Sequence, residues 1–280
     1  MRKSGVAIVL KDLVIGYGDK VVAESLSASL NEGELCGLLG ANGAGKSTLL
    51  RTMAAFQPPL SGELWIGERQ IKDIAPRELS TMVGVVLTDR IRTEGITVRD
   101  MVAMGRSPYT NFWGRLTEED YRQVDEAMEW VGVTSLSNRQ IATLSDGERQ
   151  KVMIAKALAQ GTPIILLDEP TAFLDFPSKV EIMLLLSCLA HEMGKTIFLS
   201  THDLDLALQT ADRLWLMKRG KGQGARGKEQ GARGKDQDGE SCFSVGSPRE
   251  LADQLPHFFP SRHLTFDAEA LRFNIVNYEL

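Results

Sequence analysis

Gly40-Ala-Asn-Gly-Ala-Gly-Lys-Ser47 follows the apolar run Glu34–Leu39 and opens the stretch Lys46–Phe56, which reads as a helix ended before Pro58-Pro59. The pattern Gly-x-x-x-x-Gly-Lys-Ser counts as a phosphate-binding loop only between a strand and a helix, and that context is met here. Gly40, Gly43 and Gly45 let backbone N–H groups turn inward around phosphate oxygens. The amides of Asn42, Ala44, Lys46, Ser47 and Thr48 follow the same turn into the helix start, where the macrodipole favours an anion. Lys46 is placed to meet β- and γ-phosphates, and Ser47 to ligate Mg²⁺.

Working outward, short strands are expected at Val6–Leu13, Ser25–Leu30, Glu63–Ile66 and Met82–Leu87. From Thr97 the pattern turns helical. Thr97 with Asp100 and Thr117 with Asp120 carry N-cap spacing, and Ser145 opens a third helix. Strands at Ile164–Leu167, Lys195–Ser200 and Arg213–Met217 then alternate with helices at Pro177–Met193 and Asp203–Gln209, which implies parallel βαβ units. The fold class is α/β, with an antiparallel β start, a parallel-sheet core and a helical region in the middle.

Two further motifs stand at strand ends, and a third opens a helix. Ile164–Leu167 is an apolar strand followed by Asp168 and Glu169, and ligands of open α/β sheets bind at the carboxyl ends of strands. Asp168 is placed to hold Mg²⁺, and Glu169 to orient and deprotonate an attacking water. Ser200-Thr-His202 follows another core strand, within reach of the γ-phosphate or that water. Leu144-Ser-Asp-Gly-Glu-Arg-Gln150 starts a helix, and Ser145 with the Gly147 amide forms a second anion site. Two phosphate cradles about a hundred residues apart suit a symmetric dimer, in which each nucleotide takes one motif from each subunit.

Jointly, these motifs resemble the ATP-binding cassette (ABC) family of transporter ATPases over residues 6–256. The resemblance implies the P-loop NTPase cassette fold, with an ABC ATPase domain at 1–256, a helical subdomain at about 90–160 and a C-terminal extension at 257–280 packed on the domain. It makes Tyr17 the aromatic that stacks on adenine, Leu144–Gln150 the signature, Asp175 the aspartate of the D-loop, and His202 the switch histidine. Its cofactors are ATP and Mg²⁺. Its partners are a second copy, two transmembrane permease subunits met through about residues 88–113, and a substrate-binding protein contacted indirectly. Its location is the cytoplasm, peripheral on the inner face of the cell membrane. A narrower pattern, Ile96-Thr-Val98 with Met101–Tyr109, is similar to ATPases of iron-chelate, haem and vitamin B12 importers. Two other readings stay open: a soluble cassette ATPase not coupled to transport, and a low-turnover nucleotide-binding regulator.

Three departures from the family pattern stand out. No glutamine lies within Val83–Val98, and Thr88 or Asp89 occupies the place of the Q-loop glutamine that touches metal. The signature reads Ser-Asp-Gly-Glu, so Asp146 and Glu148 bring negative charge towards an anion site unless they point away. The segment Lys218–Glu240 holds seven glycines and seven Lys/Arg, and repeats Gln-Gly-Ala-Arg-Gly-Lys. It reads as a flexible insertion at about 218–240 in a hairpin, with a basic arm touching RNA or anionic lipid as the other reading.

Composition closes off several classes. The 280-residue chain is 43% hydrophobic with a net charge of −5, so it is not a basic nucleic-acid binder, and no nucleic-acid partner is expected. No apolar run approaches ~18 residues, and the N-terminus is a poor signal peptide. Three scattered cysteines, Cys36, Cys188 and Cys242, fit free thiols in a reducing compartment.

Overall fold

The computed structural model describes residues 5–87, 95–111, 113–218, 242–260 and 264–275. Thr88, Asp89 and nearly all of the glycine-rich insertion lie outside these residues.

Two sheets share one core. In the first, β1 (Val6–Tyr17), β2 (Lys20–Asn31), β4 (Ser61–Ile66) and β5 (Arg69–Gln70) pair antiparallel in the order β2-β1-β4-β5. The first two strands run longer than the sequence expectation. β1 carries register shifts near Asp12 and Leu13 that bend it past the polar residues where alternation breaks.

The second sheet contains β3 (Leu35–Gly40), β6 (Val83–Val86), β7 (Ile164–Asp168), β8 (Thr196–Thr201), β9 (Arg213–Met217) and β10 (Phe243–Gly246). Its order is β10-β9-β3-β8-β7-β6, parallel throughout except for the β10 edge. Every residue of β3, β7 and β8 is buried, as expected for parallel strands covered on both faces. At the base of the β9–β10 hairpin, Lys218 N–H donates to the Cys242 carbonyl at 2.9 Å.

Helix α1 (Lys46–Met53) is shorter than expected and packs between the two sheets, with Leu49, Leu50 and Met53 fully buried. Helix α2 (Pro76–Met82) was not legible as a helix: it is only seven residues long and runs straight into β6. The opposite face of the parallel sheet carries α5 (Asp146–Ala159) and α6 (Phe176–His191), and α3 (Val98–Ala103) and α4 (Glu118–Val131) pack on α5, in one core around Val102, Val124, Ile154 and Leu186. The expected caps are present, since Thr97, Thr117 and Ser145 each form a reciprocal capping box with the acid three residues on.

A buried ion pair ties the helices together. Arg106 lies in a short 3₁₀ segment, Met104–Tyr109; its Nε meets Asp120 Oδ1 at 2.9 Å and its Nη1 donates to the Ala159 carbonyl at 2.8 Å. Removing one partner of such a pair costs about 3–5 kcal/mol. A third cluster joins α7 (Leu204–Thr210) and α8 (Leu255–Phe258) to the C-terminal hairpin of β11 (Leu264–Asp267) and β12 (Arg272–Ile275), through Phe259, Phe266 and Phe273. Among the described residues Cys36, Cys188 and Cys242 form no disulfide, and burial pushes the Cys36 thiol well up. Among the described residues, no helix is long and apolar enough to cross a membrane.

Candidate functional site

The carboxyl ends of β3, β8 and β7 lie side by side, with Leu39 opposite Thr201 and Ser200 opposite Asp168. The loop from Gly40 to Gly45 leaves β3 at this edge and enters α1. Its glycines are required by geometry. A Cβ on Gly40 would sit 2.4 Å from the Met217 carbonyl oxygen. Gly45 has φ 107°, and a Cβ there would sit 2.7 Å from Val22 Cγ1. Gly45 caps α1 without a side chain, and the first turn carries no acid.

The loop borders a cavity of about 380 Å³, lined by Asn42, Gly43, Gly45, Lys46, Ser47 and Thr48, together with Tyr17, Lys20, Val22 and Glu169. Lys46 Nζ donates to the Gly40 carbonyl at 2.7 Å, folding the cation back over its own loop. Burial pulls the Lys46 ammonium down from its ordinary value, while the carboxylates of Glu169 and Asp168 pull it back up. Tyr17 is half exposed at the cavity rim, and its hydroxyl accepts from Thr48 Oγ1 at 3.3 Å.

Asp168 is buried at the end of β7. Its Oδ1 accepts from Ser47 Oγ at 3.1 Å and from Ser200 Oγ at 2.7 Å. The Glu169 amide donates to Ser200 Oγ at 2.9 Å and to the Ser200 carbonyl at 3.1 Å. Glu169 takes a left-handed φ of 49°, and its Oε2 meets His202 Nε2 at 2.6 Å. Lys46, Ser47, Asp168, Glu169 and His202 thus come from three segments to one sheet edge. Ser200, quoted in the sequence motif but given no role there, is the side chain that ties Asp168 to Glu169. Lys20 and Val22 line the cavity, although only their position just after Tyr17 could have hinted at it.

Ser145 and Gly147 are not among the residues lining this cavity. Ser145 Oγ accepts from the Glu148 amide at 3.2 Å, and the Glu148 carboxylate accepts from the Ser145 amide at 2.8 Å. That amide holds the Glu148 carboxyl below the usual range. Asp146 pairs with Arg149 at 2.6 Å. Both added carboxylates are therefore engaged within their own helix. Asp175 caps α6 through the Ser178 amide, and the Ser178 hydroxyl and amide hold its carboxyl low. Thr88 and Asp89 lie outside the described residues. Among the described residues, no group of three or more His, Cys, Asp or Glu is gathered to hold a metal.

A glycine loop at the end of a parallel strand, a carboxylate pair on the strand next but one and a cavity between them define a nucleotide-binding α/β protein. Residues 23–172 match the family model described as ABC transporter. The chain is 44% identical over 211 residues to an uncharacterised ABC transporter ATP-binding protein, MJ0873, of Methanocaldococcus jannaschii, covering 75% of this chain and 73% of that protein. It is 38% identical over 217 residues to the ferric enterobactin transport ATP-binding protein FepC of Escherichia coli, covering 77% of this chain and 80% of that one. A solved structure described as a metal-chelate type ABC transporter in an inward-facing conformation superposes with a TM-score of 0.76 at 25% identity, over 98% of this chain and 99% of its own. The chain belongs to the ABC transporter family, as an ATP-binding subunit that hydrolyses ATP.

Proposed function

We propose that this chain is the ATP-hydrolysing motor of an importer for an iron chelate, with haem or cobalamin as neighbouring cargo classes, working as a homodimer on the inner face of the membrane. The observation that carries the hydrolytic part is the convergence of Glu169, His202, Asp168 and Lys46 beside the loop cavity. The cargo class is supported by FepC and the metal-chelate transporter, and by the Met101–Tyr109 segment.

The loop amides and Lys46 hold the β- and γ-phosphates, and Tyr17 presents its ring to the adenine. Lys46 leaves the Gly40 carbonyl when a phosphate oxygen offers a charge-assisted bond. Ser47 Oγ and Asp168 Oδ1, 3.1 Å apart, form a pair of hard oxygen donors that suits Mg²⁺. When bound, that ion neutralises charge on the β- and γ-phosphates. Glu169 orients a water and accepts its proton as the water oxygen bonds to the γ-phosphorus. The bond from the γ-phosphorus to the bridging oxygen breaks, leaving ADP and phosphate. His202 fixes the Glu169 carboxylate and faces the departing γ-phosphate.

The separation of Ser145 and Gly147 from the cavity supports the dimer, because those groups then serve a nucleotide held by the second copy. Exposed Met104, Tyr109 and Trp113 support a permease contact along the part of 88–113 that is described.

Glu169→Gln tests the hydrolytic reading. The variant binds ATP but loses nearly all turnover, by about a hundredfold or more, and accumulates as an ATP-bound dimer on size exclusion. Normal turnover removes Glu169 from the mechanism. Transport of a ferric chelate into vesicles carrying the complete complex tests the cargo.

A further inference from the structure

Asp203 stands at the N-cap of α7, where an aspartate ordinarily accepts hydrogen bonds from first-turn amides. Its side chain makes no such bond. Oδ2 instead accepts from Thr171 Oγ1 at 2.7 Å, and Oδ1 accepts from Lys179 Nζ at 2.9 Å. Both partners belong to the segment that follows Glu169: Thr171 is two residues on and buried, and Lys179 lies in the first turn of α6. An aspartate that forgoes its own cap for two bonds to another segment acts as a brace between elements.

The segment it braces is strained. Glu169 has φ 49° and Phe173 has φ 64°, two non-glycine residues in the left-handed region of one turn. Each such residue is unfavourable and persists only where its surroundings over-determine it. The end of β8 and the start of α7 supply that grip. Ser200 takes the Glu169 amide through both its carbonyl and its hydroxyl. His202 meets the Glu169 carboxylate. Asp203 holds Thr171 and Lys179, the two points flanking Phe173.

We propose that Asp203 is a positioning residue for hydrolysis. By holding Thr171 and Lys179 it keeps the turn 169–175 in register with His202, and so holds the Glu169 carboxylate where water is activated. Asp203 itself lines no part of the nucleotide cavity. The proposal rests on the reading of Glu169 as the base.

The test compares Thr171→Val, Thr171→Ser, Asp203→Ala and the Asp203→Ala/Thr171→Val double variant in full-length protein. Steady-state ATPase is measured beside equilibrium binding of a non-hydrolysable ATP analogue. Thr171→Val and Asp203→Ala each lower kcat about tenfold or more, as small misplacements of a reacting group do. Analogue affinity stays within about twofold, so the loss lies in turnover rather than binding. Thr171→Ser keeps the hydroxyl and retains the wild-type kcat. The double variant is no slower than the worse single variant, because both substitutions remove the same contact. A kcat within about twofold of wild type for both single variants, a Thr171→Ser as slow as Thr171→Val, or losses that multiply in the double variant would each overturn the brace. Should Asp203→Ala fail to fold, Thr171→Val against Thr171→Ser decides. Glu169→Gln separates the two readings. A fully active Glu169→Gln overturns the base. An inactive Glu169→Gln beside fully active Thr171→Val and Asp203→Ala overturns the brace alone.

Discussion

Helices α1 and α5 both begin at a motif suited to an anion, but their first turns are built in opposite ways. α1 starts at Gly45, with no side-chain cap and no acid in its first turn. α5 starts at Ser145, whose hydroxyl and amide close a ring with Glu148, and Asp146 adds a second carboxylate to the same turn. The dipole and free amides at a helix start attract an anion. α1 leaves that attraction open towards the cavity, whereas α5 answers it with its own carboxylates. The same local motif binds a ligand strongly only where the sequence withholds the internal anion. On this view α1 binds nucleotide in a single chain, and α5 contributes only when a second chain brings phosphate close enough to compete.

The largest effect that tests this contrast is expected at Lys46. Lys46→Ala removes the side-chain cation carried by the open helix start, and weakens ATP binding by about ten- to a hundredfold, the range of a lost charge-assisted bond. Equilibrium binding checks it, and unchanged affinity would end the reading of α1 as the primary site.

Asp146→Gly sharpens the other half. Removing one internal anion from α5 leaves binding to a single chain unchanged and strengthens ATP-driven dimerisation by about threefold. The gain is modest because Asp146 is half exposed and already paired with Arg149. Sedimentation of the Glu169→Gln background with ATP measures it, and weaker dimerisation would show that Asp146 supports closure.

Ser145→Ala opens the capping box and costs about 1 kcal/mol, the usual value of a lost cap. Urea unfolding detects that loss, and an unchanged midpoint would mean that packing alone holds α5. The smallest effect is expected at the glycine-rich insertion. Deleting Gly222–Gly239 leaves ATPase activity close to wild type, because the Lys218–Cys242 bond already brings the hairpin ends together and loop length alters stability by only about 0.6 kcal/mol per doubling. A large loss of activity or of membrane association would instead favour a basic arm.

Much of the parallel sheet was readable because its strands are continuous apolar runs and its helices carry caps at regular spacing. Ile164–Leu167, Thr97, Thr117 and Ser145 all stand where local chemistry requires them. α2 was not readable, because seven residues too short to show a helical period depend on packing against β6. The late end of β1 and the early start of β2 were missed for a related reason: bulges break the alternation on which a strand is recognised. Burial of the Arg106–Asp120 pair was hidden as well, since a charged residue carries no sequence mark of the partner that will cover it.

The sequence by itself determined that a glycine loop would join a core strand to a helix, that Asp168 and Glu169 would end a core strand, and that Ser145 would cap a helix. Each of these follows from the chemistry of neighbouring residues. Only the tertiary structure decided that Ser200 joins Asp168 to Glu169, that Asp203 abandons its own helix for Thr171 and Lys179, and that Lys20 and Val22 border the cavity. Those contacts link residues about 20 to 30 or more positions apart. The Ser200 and Asp203 contacts exist because strand order places β8 beside β7, and the cavity border because the antiparallel sheet packs next to the loop; no local propensity encodes either arrangement.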